Sequence, residues 1–201
     1  MCLLFYLYIS RDAIHTRGPA LCGHELCLNI DEQVTNMSYS GGGVCMQDVG
    51  RTVAAHKQWI DGPIGPRTDV KIGAPAVTNG AHDPNNGNIM GIEYLKQFLA
   101  GCADCRIDFL VAHWYNAANV DEFITHIENV WKAGGQTRPV WVTEFAPHGD
   151  DATKKAFIEE AVKRLDSLDY VEKYAYHYAT NNVLLNPEGN GLSALGSAFI
   201  A

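Results

Sequence analysis

Glu144 is the strongest candidate for a reactive group. It ends the apolar stretch Trp141-Val142-Thr143-Glu144-Phe145, where a buried strand is expected to stop. A carboxylate in this place lies at the mouth of a barrel in α/β-barrel enzymes, rather than along a solvated face. The chemistry that it offers is nucleophilic attack or proton transfer. The alternative is a glutamate that caps a helix or forms a salt bridge at the entrance to a loop.

An aromatic pair beside a histidine, His113-Trp114-Tyr115, ends the preceding apolar run. Such a group suits a sugar ring, because the CH faces of the sugar stack on aromatic rings while its hydroxyls need hydrogen bonds. The alternative is that Trp114 and Tyr115 close the top of the core.

Metal and cofactor chemistry finds little support in the motifs. The eight histidines form no His-Glu-x-x-His stretch, and no two lie at helical ligand spacing, so we expect neither a metal nor an organic cofactor. Cys102-Ala103-Asp104-Cys105 follows a predicted helix instead of opening one, so no helix N-terminus activates a thiolate there. This pair is predicted to form a short local disulfide or to remain two thiols.

The elements that must position these residues alternate from about residue 70. Apolar spacing predicts helices over Ile92–Ala100, from Val120 to the Gly134-Gly135 pair, and over about Asp151–Leu168. Strands are predicted between them. The predicted strands are Val70–Pro75, Ile107–Val111, Pro139–Thr143 and Val171–Tyr178.

Strand centres near Ile72, Phe109, Val142 and Ala175 are 37, 33 and 33 residues apart. This regular βα spacing favours an α/β fold of the (β/α)8 TIM-barrel type, in which chemistry occurs at the carboxyl ends of the strands. About five of the eight βα units are recognisable, so the barrel is predicted to be incomplete. The polar and aromatic residues at the predicted strand ends are Asn79, His113, Trp114, Tyr115, Glu144, Tyr176 and His177.

Length and charge narrow the class of partner. A chain of 201 residues predicts a single domain and, here, a monomer. The net charge of −8 argues against nucleic-acid binding but is compatible with a neutral polysaccharide. The longest apolar run, Cys2–Ile9, is too short to span a membrane, and it lacks the basic start and small-residue cleavage site of a signal peptide.

Six stretches together resemble one enzyme family. In chain order they are Gly73–Asn79, Tyr94–Leu99, Cys102–Phe109, His113-Trp114-Tyr115, Trp141–Phe145 and Tyr170–Tyr176. They resemble the catalytic domain of glycoside hydrolase family 128, also described as alkali-sensitive-linkage-protein-like glycosyl hydrolases. The resemblance covers residues 70 to 201 and implies a (β/α)8 barrel that cleaves β-1,3-glucan with retention, by means of two glutamates.

The resemblance also implies individual roles. Glu144 matches the nucleophile, and Asn79, His113, Trp114, Tyr115 and Tyr176 match positions that line the substrate cleft. In this alignment residues 29–201 supply barrel strands 4 to 8, and residues 1–28 match nothing in the family. An extracellular or cell-wall location is implied as well.

The second glutamate is less well matched. The family has Asn-Glu-Pro-Asp upstream of Asn-Met-Ser, whereas this chain reads Asn29-Ile30-Asp31-Glu32-Gln33 before Asn36-Met37-Ser38. Asn29 would contact the substrate, and Glu32 is the candidate acid/base. A shift of two residues along a strand moves a side chain by about 6.6 Å, which is large beside the 5–5.5 Å carboxyl separation that retention needs.

Two alternatives to an active hydrolase follow from these departures. Ile30 at the position of the acid/base favours a non-catalytic β-glucan-binding protein that retains its aromatic subsites. The other is an inactive fragment: a truncated or mis-spliced gene model would account for residues 1–25, for the Asn29 region and for the glycine-rich segment 39–49 together.

Overall fold

A computed structural model describes residues 25–26, 48–82 and 87–201. Its elements alternate between strands and helices along the chain. In order they are β1 (Glu25–Leu26), α1 (Val49–His56) with a π-helical turn (Lys57–Asp61), α2 (Gly62–Ile64), β2 (Lys71–Ile72), α3 (Gly91–Gly101), β3 (Leu110–Ala117), α4 (Val120–Ala133), β4 (Val140–His148), α5 (Asp151–Asp166), β5 (Val171–Tyr176) and α6 (Ala194–Ile200).

All the paired strands run parallel. β3, β4 and β5 form one sheet in that order, and β1 pairs with β2. Parallel bridges from Gly73 to Phe109 and from Val77 to Ala112 connect the segment after β2 with β3. The fold is therefore mixed α/β with a parallel sheet, as expected, while closure into an eight-stranded barrel stays a prediction.

Side-chain caps begin the three helices α4, α5 and α6. The side chains of Asn119, Asp150 and Ser193 accept a hydrogen bond from the backbone N–H three residues further on, which satisfies a donor that the first helical turn leaves open. In α4, acidic residues in the first turn and Lys132 in the last turn also oppose the helix dipole. The local sequence thus sets where these helices start.

The two faces of the sheet carry different residues. Leu110, Ala112 and Trp114 of β3 point toward the helices and join the main core, whereas Phe109 and Val111 belong to a separate inner cluster with Ala76 and Trp141. Phe109 and Trp141 stack with ring centroids 3.7 Å apart. In barrels of this type the active site lies at the carboxyl ends of the strands, so the inward-pointing residues near those ends are the ones that can line a substrate cleft.

A β-bulge in β4 changes this alternation. Ala112 pairs with Val142, but the next residue, His113, pairs with Glu144, so Thr143 is an extra residue in β4. Val140 and Val142 face the helices, and strict alternation would have placed Glu144 on that side as well. The bulge moves Glu144 to the inner face and gives the helix-facing position to Phe145.

The predicted elements and the observed ones differ mainly in length. α3, α4 and α5 match their predicted ranges within two residues. β3 and β4 extend through Ala117 and His148, well beyond the predicted ends, because their polar residues stay in register with their neighbours. The region predicted as the strand Val70–Pro75 forms only the two-residue β2. No helix in the described part of the chain is long and apolar enough to cross a bilayer.

Candidate functional site

Four polar residues on β3 and β4 form what we call the Glu144 cluster: Glu144, Tyr115, His113 and Thr143. The Tyr115 hydroxyl donates a hydrogen bond to Glu144 Oε2 at 2.5 Å, and His113 Nδ1 lies 3.4 Å from the same oxygen. His113 Nε2 forms a hydrogen bond with Thr143 Oγ1 at 2.8 Å. Glu144 is only 6% exposed, so these partners, rather than bulk water, orient its carboxylate.

A second histidine supports the cluster from the side of α4. His126 is 9% exposed, and its Nε2 hydrogen-bonds to the backbone carbonyl oxygen of His113 at 3.1 Å. Burial lowers the pKa of His126 to about 4, so the ring is neutral near pH 7 and can donate to that carbonyl. His126 therefore helps to fix the backbone from which the His113 ring projects.

Asn79 holds the backbone at Tyr115. Its side-chain oxygen accepts a hydrogen bond from the Tyr115 N–H at 3.0 Å, and its amide nitrogen donates to the Tyr115 carbonyl oxygen at 3.4 Å. The structure thus places Asn79 against the main chain of Tyr115. We assign it to positioning Tyr115.

Trp114 and Tyr176, both predicted to line the cleft, lie on the helix-facing side of the sheet. Trp114 is 1% exposed and stacks with Phe157 at 5.4 Å between ring centroids, and Tyr176 packs against Phe145 and Phe199. Strand alternation explains the difference, since Trp114 follows the inward-facing His113 and must point outward. The structure does not bring either ring to Glu144, and we leave both out of the proposed cleft.

The other predicted site residues cannot be placed. Asn29 and Glu32 lie outside the described residues.

Sequence reasoning did not single out Thr143, and it assigned no role to His177 or His126. The ring centroids of His177 and Tyr115 lie 5.6 Å apart, and the two rings meet edge-on. Thr143 could have been found only from the bulge, which an unbroken apolar run does not reveal. His126 had a signal, because a histidine on the buried face of a predicted amphipathic helix needs a polar partner.

A cavity of about 650 Å³ lies beside the cluster, near the amino ends of α3 and α4. Asn79, Asn116, Glu122 and His126 supply part of its polar lining, and Trp114 borders it. Neither Glu144 nor Tyr115 is among its lining residues. It is therefore adjacent to the Glu144 cluster and separate from it.

The arrangement of one oriented, buried carboxylate on a parallel strand can be compared with known proteins. The family model described as "Glycosyl hydrolase catalytic core" matches residues 48–199, about three-quarters of the chain. The chain belongs to this glycosyl hydrolase family.

Individual relatives of this glycosyl hydrolase support the same family membership. It is 29% identical over 148 residues to Alkali-sensitive linkage protein 1 of Schizosaccharomyces pombe, a match that covers 65% of this chain and 25% of that protein. A glycoside hydrolase family 128 curdlan-specific exo-β-1,3-glucanase from Blastomyces gilchristii, solved with glucose, is 30% identical with a TM-score of 0.61. That match covers 74% of this chain and 60% of the exo-glucanase.

A family 128 endo-β-1,3-glucanase from Amycolatopsis mediterranei, solved with laminaritriose, is 25% identical with a TM-score of 0.54. The match covers 65% of this chain and 58% of that enzyme. The resemblance to family 128 seen in the sequence is confirmed. This glycosyl hydrolase chain spans about three-fifths of the solved enzymes and a quarter of the curated relative.

Cys102 and Cys105 form a disulfide, one of the two states that the sequence left open.

Proposed function

We propose that this chain carries the nucleophile half of a retaining β-1,3-glucanase site. The observation that supports it most is the Glu144 carboxylate, buried in the middle of β4 and held by Tyr115 and His113. Glu144 would attack the anomeric carbon of a glucosyl unit and form a glycosyl-enzyme. The Tyr115 hydroxyl and the His113 ring both contact Oε2, so we assign the attack to Oε1.

The acid/base is the second half of the proposal. A carboxylic acid must protonate the leaving oxygen and then activate water, and Glu32 is our candidate, while Asn29 would contact the substrate. General acid–base assistance is worth about 10²–10⁴-fold, so a chain without it would retain a weak activity at most. The same resemblance supports a (β/α)8 barrel with strands 4 to 8 in residues 29–201.

The resemblance to family 128 supports further proposals about the substrate and its location. We propose a monomer that acts on β-1,3-glucan outside the cell or in the cell wall, without a cofactor. The solved relatives include both exo- and endo-β-1,3-glucanases, so chain-end and internal cleavage are both candidates here.

Release of reducing sugar from soluble β-1,3-glucan tests the proposal. We expect Glu144→Gln to lower the activity of the 201-residue chain by at least about 10³-fold, because an amide cannot act as the nucleophile. Glu160→Gln, on the exposed side of α5, is the matched control and should leave activity unchanged. Equal activity of the Glu144→Gln variant and the parent chain would contradict the assignment.

A second candidate function is non-catalytic binding of β-glucan, and Ile30 at the expected acid/base position favours it. The parent chain would then release no sugar but would still sediment with insoluble β-1,3-glucan. Glu32→Gln separates the two: it should lower activity by about 10²-fold or more if Glu32 is the acid/base, and change nothing in a protein that only binds.

A further inference from the structure

A second buried cluster lies far along the sheet from Glu144. We call it the His56 cluster: His56 at the end of α1, with Cys102 and Cys105 in the connection between α3 and β3. This connection leads into the amino end of β3, whereas Glu144 lies in the middle of β4. The amino-terminal face of a barrel is the one usually devoted to stability, so the cluster is independent of the proposed glucan chemistry.

His56 has an unusual environment for a histidine. The residue is 0% exposed, and neither ring nitrogen has a hydrogen-bond partner among the described residues. One neighbour is the Phe98 ring, which meets it edge-on at 5.3 Å between centroids. A buried polar side chain without a partner needs an explanation, and an ion that binds there is one of the few available.

The two cysteines supply what the imidazole lacks. One ring nitrogen of His56 and the two Sγ atoms lie within 4.8 Å of one another. A Cys-x-x-Cys pair with one histidine supplies two thiolate sulfurs and one imidazole nitrogen, a donor set that binds zinc.

We propose that His56, Cys102 and Cys105 bind Zn²⁺ when the Cys102–Cys105 disulfide is reduced. A dithiol reductant would donate two electrons and two protons to the S–S bond. The bond breaks to give two thiols, and the reductant is oxidised to its own disulfide. Each thiol then loses its proton to solvent as its sulfur binds, so one Zn²⁺ displaces two protons. Three protein ligands leave a fourth tetrahedral position, which a water molecule fills.

The site requires a modest rearrangement. Zinc bonds of about 2.0–2.3 Å place tetrahedral ligand atoms about 3.3–3.8 Å apart, so the imidazole and the sulfurs must approach by about 1 Å. Breaking the disulfide lets the two sulfurs separate to that distance. Oxidation of the thiols reverses the change and releases the ion, so the disulfide and the zinc complex are alternative states of one cluster.

The test uses the full chain with Cys2, Cys22, Cys27 and Cys45 replaced by serine, so that only the cluster cysteines remain. After reduction, Co²⁺ and then Zn²⁺ are added, and binding is followed by absorption and by metal analysis. We expect one Co²⁺ per chain, with sulfur-to-cobalt charge-transfer bands and tetrahedral d–d bands, displaced by Zn²⁺. The oxidised chain should show neither band.

Variants assign the ligands. Cys105→Ser should abolish the charge-transfer spectrum of a two-thiolate site, and His56→Gln should weaken Zn²⁺ binding at least tenfold. His148→Gln, at an exposed histidine, is the control and should bind as the parent does. Circular dichroism is recorded for every chain, reduced and oxidised.

Three outcomes would overturn the proposal: no stoichiometric binding to the reduced chain, equal binding by the oxidised chain, or binding that His56→Gln leaves unchanged. Loss of the native circular dichroism on reduction would overturn it too, because the site depends on the packing of α1 against α3. None of these readouts uses glucan hydrolysis, so the outcome is separable from that of the proposed function.

Discussion

Two histidines, His113 and His56, are both completely buried, yet their surroundings differ in kind. His113 lies between a threonine hydroxyl and the Glu144 carboxylate, whereas His56 lies against a phenyl ring and a disulfide and has no hydrogen-bond partner in the described structure. The first environment suits a ring that orients a carboxylate for reaction. The second suits a ring that binds the Zn²⁺ ion proposed above. The neighbours of a buried imidazole, rather than its burial, decide which chemistry it can support.

The two clusters also depend on different features of the chain. The Glu144 cluster is built from adjacent strands and depends on a one-residue bulge. The His56 cluster joins residues 46 positions apart, and the packing of α1 on α3 brings them together. A change that disrupts one cluster should therefore leave the other intact, and the following experiments test that separation.

Insertion of one alanine between Thr143 and Glu144 should have the largest effect. With the bulge kept, the added residue takes the place opposite His113, and strict alternation turns Glu144 toward the helices. Glucan hydrolysis should then fall by at least about 10³-fold, as for loss of the nucleophile itself. Thr143→Val keeps the register and removes only the hydroxyl bonded to His113, so it should retain activity within about tenfold. Reducing-sugar release measures both. Full activity after the insertion would show that the register of β4 does not position Glu144.

Acid should destabilise the protein through His126, which supports the Glu144 cluster. Its pKa of about 4 lies below the value of 6.5 expected in the unfolded chain, so between these values the unfolded chain binds more protons. The free energy of unfolding therefore falls as the pH drops from 6.5 to 4, by about 3 kcal/mol for this residue. Urea unfolding at pH 7 and pH 4.5 should show a smaller loss for His126→Asn than for the parent.

Leucine at the two buried histidines should have opposite effects on stability. In the oxidised protein, His56→Leu removes an unpaired polar ring and should raise the free energy of unfolding by about 1–2 kcal/mol. His113→Leu takes a partner from Thr143 and should lower it by about 1–3 kcal/mol. Urea unfolding at pH 7 measures both. A destabilised His56→Leu chain would mean that the histidine already has a favourable interaction in the oxidised state.

Two tyrosine hydroxyls offer the smallest and most specific comparison. Tyr115→Phe removes the donor to Glu144 and should lower activity by about tenfold with little change in stability. Tyr94→Phe removes a hydroxyl that bonds Thr52 Oγ1 at 2.6 Å between α3 and α1, and should cost about 1 kcal/mol without changing activity. Kinetic and unfolding measurements on both variants test this comparison. Loss of activity in Tyr94→Phe, or loss of stability alone in Tyr115→Phe, would contradict the roles assigned to the two hydroxyls.

The sequence predicted α4 and α5 well because each has a capping residue at its start and apolar spacing along its length, whereas α3 begins without a side-chain cap and was predicted from its spacing alone. Asp150 and the residues around Phe157 are enough to define α5 without knowledge of any other segment. α6 was not predicted, since seven residues at the end of the chain are too few to show a period. Local signals suffice where an element is determined locally.

The candidate site was predicted less completely, for a geometric reason. Glu144, Tyr115 and His113 were recognised from their position after apolar runs, and they meet in the structure. Trp114 was included with them because sequence adjacency says nothing about the face of the strand on which a residue lies. The bulge at Thr143 depends on pairing with β3, so no pattern within β4 could have revealed it.

The inner face of the sheet carries one contact with a kinetic consequence. Lys71 on β2 forms an ion pair with Glu172 on β5, 101 residues later, and the Trp141 indole N–H donates to the same carboxylate at 3.0 Å. Both charged side chains are partly exposed, so the pair adds little to equilibrium stability. Closing so long a loop costs entropy before it yields any contact energy. We therefore expect the curvature that joins the two strands to form late in folding, after the intervening βα units have assembled.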